Sequence, residues 1–137
     1  MNNEERWKQR FQNFEKAYEV FRRRIDEYEV YKGSEAHEMA LIQGFEMVVE
    51  LAWKILKDYL ENQGYENLNT PKKVIRQAFQ SEVITEGETW MEALSRRNIT
   101  SHAYNAEVLE QTLEFINENF QFKLQQMRHY LLDELNE

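Results

Sequence analysis

The chain has 137 residues, ordinary for one domain, and 42% of them are apolar and 13% aromatic, enough for a packed core and against wholesale disorder. One proline and four glycines leave few places to break a helix or turn a hairpin, and the absence of cysteine excludes disulfides, thiolate metal sites and cysteine nucleophiles. The net charge of −8 argues against a non-specific nucleic-acid coat, which is normally basic.

An all-α fold is therefore expected. The polar stretch Met1–Arg10 predicts no signal peptide, and no apolar run approaches the ~18 residues of a membrane span. With no cysteine to oxidise, a cytoplasmic protein without a membrane segment is the expectation.

The first apolar stripe is Trp7, Phe11, Phe14, Tyr18, Phe21, Ile25 and Tyr28. Its alternating spacing of 4 and 3 predicts a helix over about residues 3–31, some 43 Å long. Gly33 is placed to end it and Ser34 to cap the next helix. That second helix is expected over about residues 35–63, on a stripe of Leu41, Phe45, Val48, Ala52, Leu56 and Tyr59 widened by Ile42, Val49, Trp53 and Leu60, with Gly64 as its stop. Two long helices joined by a tight turn form an antiparallel hairpin.

Thr70-Pro71 reads as a cap followed by proline at the first helical position, opening a short helix to about Gln80. Thr85-Glu86-Gly87-Glu88 matches a capping box and predicts a fourth, short helix through Trp90, Met91 and Leu94 to about Arg97. The polar run from Asn98 to Asn105 is expected to interrupt the helix, with Asn105 capping the last one. That one carries Leu109, Leu113, Ile116, Phe120, Leu124, Met127, Leu131 and Leu135. The expectation is a single domain over residues 1–137: a four-helix-bundle-like array of three long helices with a short-helix insertion. Phe115, Phe122, Tyr130 and Leu132 exceed what a small bundle must bury and suggest a dimer face.

The informative stretch is RRNITSHAYN, residues 96–105. Arg97 and His102 are five apart, Asn98 follows the arginine, and Tyr104 lies two beyond the histidine. In an unbroken helix five residues separate two positions by about 140°, so the pair converges more easily if the helix ends between them. Arginine and histidine without a metal suit cleavage of RNA through its 2′-hydroxyl. Histidine can take or supply a proton near neutrality, while arginine offers a fixed cation to the phosphate. One histidine cannot readily be both base and acid, and a symmetric dimer bringing two copies of His102 to one cleft removes that difficulty. Pro71 to Tyr104 carries a net +1 inside an otherwise acidic chain, consistent with an anion-binding region or with a neutral solvated surface.

Each residue also has a plainer reading. His102 can be an exposed turn residue, Arg97 a surface ion-pair partner, and Tyr104 a half-buried aromatic with a wet hydroxyl. Glu46 and Glu50, one turn apart, could share a divalent metal with His102, but Glu50 pairs naturally with Lys54 and no E-x-x-H is present. No metal or cofactor is expected. Arg22-Arg23-Arg24 points three ways around a helix and reads as solvated surface.

Taken together, FEMVVELAWKILKDYL (45–60), TPKKVIRQAF (70–79), the tryptophan of ETWMEAL (88–94) and RRNITSHAY (96–104) resemble the nucleotidyltransferase substrate-binding protein family, in the HepT-like branch of HEPN domains. The resemblance covers almost the whole chain in matching order. It implies an antiparallel helical bundle that forms a homodimer or higher oligomer and is paired with a separately encoded minimal nucleotidyltransferase. Such pairs resemble toxin–antitoxin modules, in which the helical member is a metal-independent endoribonuclease acting on RNA and its partner blocks it by transferring AMP. Carried over by position, Arg97 and His102 are the catalytic pair, Asn98 a supporting polar residue and Tyr104 the acceptor of the modification. An adenylyl group there would set negative charge and bulk against RNA phosphate. The alternative is a non-catalytic substrate-binding subunit of a two-component nucleotidyltransferase. A plain helical dimerisation module is a third reading, against which an intact Arg97, His102 and Tyr104 stands. This chain departs from the family where glycine is expected after Phe79, with Gln80-Ser81-Glu82-Val83-Ile84, and has Ala103 where threonine is commoner.

Overall fold

A computed structural model describes residues 2–102 and 105–137, residues 99–102 by backbone alone. All regular structure among the described residues is helical: α1 (Asn3–Val30), α2 (Glu35–Asn62), α3 (Pro71–Gln80), α4 (Gly87–His102), α5 (Ala106–Phe115), a π-helical turn (Ile116–Phe120) and α6 (Gln121–Leu135).

The helix ends follow local chemistry. The Asn2 side chain accepts from the Glu5 amide at 2.8 Å, and Thr70 accepts from the Lys73 amide at 3.2 Å with Pro71 opening α3. Ser34 caps α2, and Asn105 accepts from the amides of Glu107 and Val108 at 2.8 and 3.3 Å. Gly33 and Gly64 follow α1 and α2 at φ +87° and +98°, the left-handed region where a side chain is penalised.

The aromatic stripe of α1 is buried from Trp7 to Ile25, and it faces the buried stripe of α2 from Leu41 to Leu60. These two helices form the main interface of the fold. They meet at Gly44, where an added Cβ would lie 3.6 Å from Cγ of Arg24 and 3.8 Å from Cα of Phe21. Those are ordinary van der Waals distances, so the interface has room for a methyl group there, and the cost of about 1 kcal/mol that glycine carries relative to alanine inside a helix is not offset by a closer approach. The C-terminal rod is held to α1 and α2 by large side chains. Phe120, fully buried, meets Phe21, Phe45, Trp90 and Phe115 at ring-centroid distances of 6.5, 5.4, 5.3 and 6.0 Å.

Several expectations need correction. The last helix is interrupted by the π turn, which inserts an extra residue into the helical repeat. Phe115 and Ile116 are consequently both buried, as are Phe120 and Gln121. The Gln121 amide donates to the Asn117 carbonyl at 2.6 Å, and its oxygen accepts from Arg22 at 2.5 Å. Arg22 is therefore a packing residue and not solvated surface, because a buried amide requires a partner; Arg24 pairs with Glu27, and Arg23 is exposed.

The capping box is not formed. Glu86 adopts φ +53°, and the Thr85 hydroxyl turns away to donate to Gln126 at 2.9 Å. The fourth helix also continues past Arg97 to His102, so Asn98 does not end it. Residues such as Asn, Thr and Ser cost only a few tenths of a kcal/mol each in a helix, and α4 is anchored upstream by buried Trp90, Ala93 and Leu94. Of the residues expected on a dimer face, Phe115 is buried and Tyr130 and Leu132 pack against the core, leaving Phe122 exposed.

Candidate functional site

Trp90, Ala93, Leu94 and Arg97 fall at i, i+3, i+4 and i+7, so Arg97 extends the stripe by which α4 packs on the bundle. Its side chain, 17% exposed, crosses to α2 and donates through Nη1 to Oε2 of Glu50, while Nη2 donates to Oδ1 of Asn98 at 3.2 Å.

Arg96 turns the other way. It donates through Nε to Glu92 at 2.7 Å and through Nη1 to the buried Thr112 hydroxyl at 3.2 Å, with its guanidinium 5.5 Å from the Phe115 ring centre. The adjacent arginines thus divide into one that fastens α4 to α5 and one that faces α2.

Glu50, which the sequence offered only as a weak metal candidate or a partner of Lys54, is the partner of Arg97, a role that sequence reasoning missed. Its Oε2 also accepts from Nε1 of Trp53 at 3.1 Å, and its Oε1 lies 3.3 Å from Nζ of Lys54. Partial burial by itself would raise the carboxyl's pKa. Hydrogen bonds from Trp53 and Lys54 and the charges of Arg97 and Lys54 outweigh burial and hold it below the usual carboxylate range. The Lys54 pairing was legible at i,i+4, whereas Arg97 is 47 residues away and left no local signal.

Beside this pair lies an open depression of about 520 Å³ lined by Glu46, Met47, Glu50, Leu51 and Arg97, with Met47 55% exposed. A larger one of about 620 Å³, lined by Ile75, Arg76, Phe79, Glu86 to Thr89 and Met91, contains none of the motif residues. No group of three His, Cys, Asp or Glu able to hold a metal occurs among the described residues. Glu50 in particular is committed to its three donors. No helix among them is long and apolar enough to cross a membrane.

Because α4 stays helical through His102, positions 97 and 102 lie about 140° apart around its axis and do not share a face. The His102 side chain and the whole of Tyr104 lie outside the described residues.

Residues 9–133 match the family described as nucleotidyltransferase substrate binding protein like. The chain belongs to that family. Among curated proteins it is similar to the probable ribonuclease HepT of Haemophilus influenzae (strain ATCC 51907 / DSM 11121 / KW20 / Rd), at 34% identity over 98 residues. The match covers 64% of this chain and 64% of the relative, so this family member spans less than two thirds of that relative's length.

Proposed function

We propose that this chain is a HepT-like, metal-independent endoribonuclease, neutralised when a cognate minimal nucleotidyltransferase transfers AMP to Tyr104. The observation that carries the reading is the Arg97 guanidinium, oriented by Glu50 and Asn98 beside an open depression. Similarity to a probable ribonuclease supports it.

In this reading Arg97 binds the scissile phosphate and stabilises the charge that builds on its oxygens. Asn98 supports the guanidinium at Nη2. His102 exchanges the proton of the attacking 2′-hydroxyl or of the departing 5′-oxygen, which a group titrating near neutrality can do in either direction. Since positions 97 and 102 do not share a face of α4, the reading calls for two chains related by a two-fold axis, each supplying part of one cleft. AMP on Tyr104, two residues from His102, would add negative charge that competes with RNA phosphate.

The test is incubation of purified protein with total RNA in EDTA, beside Arg97→Ala and His102→Ala. Cleavage is expected to persist in chelator and to be lost in both variants. Absence of cleavage by protein shown by intact mass to be unmodified would refute the ribonuclease and leave the substrate-binding subunit of a two-component nucleotidyltransferase.

A further inference from the structure

We propose that Glu50 is the positioning residue for Arg97: a carboxylate locked by its own helix that sets the plane and place of the guanidinium before RNA arrives. The inference rests on the ribonuclease reading for its catalytic meaning. Its structural half stands on the geometry of α2 and α4.

The carboxylate is gripped from one side. Trp53 donates to Oε2 from one turn along α2, and Lys54 holds Oε1 from the next position. Both are contacts within a single helix, so α2 itself supplies two restraints on the direction of the carboxylate that Arg97 meets. Trp53 is partly buried against the core, and an indole held by packing has little freedom to follow a moving partner.

Arg97 arrives from the other helix with a long, flexible side chain that carries about 2 kcal/mol of rotamer entropy. Nη1 is taken by Glu50 and Nη2 by Asn98. Two directed bonds to the two terminal nitrogens define the guanidinium plane. A free arginine would lose its freedom only on meeting substrate; in this fold that loss is incurred on folding, which favours the reactive geometry.

The plain alternative is an ion pair that merely fastens α2 to α4. The Glu50 side chain is 41% exposed, and pairs of that kind contribute little to stability. Fastening does not need a carboxylate held at both oxygens by its own helix. The core contacts of Trp90, Ala93 and Leu94 already secure α4.

Glu50→Ala and Glu50→Gln separate the two. Gln keeps the shape and an oxygen acceptor while losing the charge. For cleavage of a short RNA in EDTA, Glu50→Ala is expected to lower kcat at least tenfold with KM changed less than threefold, and Glu50→Gln to recover part of kcat. The Nε–Hε NMR signal of Arg97, identified by its loss in Arg97→Ala, is expected to be sharp in the wild type and broadened in Glu50→Ala.

An Arg97 signal unchanged in Glu50→Ala overturns the proposal whether or not RNA is cut. Faster cleavage by Glu50→Gln also overturns it, showing Glu50 to be a competitor of phosphate. Cleavage by the wild type that needs Arg97 but not Glu50 removes the positioning role and leaves the ribonuclease standing. No cleavage by the wild type removes the ribonuclease and, with it, the catalytic meaning of the clamp.

Discussion

Truncating Phe120 to alanine should cost about 4 kcal/mol of stability, whereas the same change at Phe122 should cost less than about 0.5 kcal/mol. The first ring is fully buried, with Phe45 and Trp90 at 5.4 and 5.3 Å and Phe115 and Phe21 slightly farther. Phenylalanine-to-alanine changes in cores cost about 3–5 kcal/mol through lost transfer energy and the cavity left behind. Rings from α1, α2, α4 and α5 all converge on this one, so no single element can relax to close the gap. The second ring, two residues on, is 52% exposed and is expected to behave as surface. In urea unfolding, with a slope of about 2 kcal/mol/M for a domain of this size, Phe120→Ala should bring the midpoint down by about 2 M at constant slope. Phe120→Leu provides a milder version if the alanine protein does not fold. Equal losses at the two positions, or a loss below about 1.5 kcal/mol at Phe120, would refute a register in which the C-terminal rod turns Phe120 inward and Phe122 to solvent.

Glu82 lies at φ +61° just beyond the α3 terminus, in the left-handed region, with its side chain exposed. Glu82→Gly should stabilise the fold by about 1 kcal/mol, a rise in Tm of about 4 °C; a fall in Tm would show that the strain is not there. The Glu50 carboxyl is depressed in the folded state below its ordinary value of 4.5. Its contribution is therefore fully present above that value and is lost as pH falls through the lower folded value. The Tm difference between wild type and Glu50→Gln should be flat from pH 7 to about pH 6 and shrink towards about pH 3. A difference independent of pH across that range would mean that the charge on Glu50 does not matter to the fold.

Most helix ends were legible because they are written in local chemistry: Gly33 and Ser34 at one turn, Gly64 and Thr70-Pro71 at the next, Asn105 at the last. The misreadings arise where distant parts of the chain decide. Thr85 had the spacing of a cap, but Gln126 of α6 offers its hydroxyl another partner, 41 residues away. Polar Asn98 suggested a break, yet packing upstream carries α4 through it. The π turn was hidden because the stripe from Ile116 to Phe120 to Leu124 suits an ordinary helix. Its trace is Gln121, a polar residue beside a core position, whose amide is used only once Asn117 and Arg22 are brought to it. At the candidate site, Arg97 with Asn98 could be chosen from the motif. Glu50 was visible only as a possible metal ligand or a partner of Lys54, and its pairing with Arg97, 47 residues away, had no local trace.

The π turn also divides the C-terminal rod into two separately timed halves. One added residue rotates everything after it by about 100° around a helix axis. Upstream, α5 is set against α4 by Arg96 on Thr112; downstream, α6 is set against α1 by the two-pronged grip of Arg128 on Glu15. A single regular helix would have to satisfy both neighbours with one phase. With the turn between them, substitutions that adjust the grip on α1 need not twist the half that flanks α4, and the two halves can drift in sequence independently.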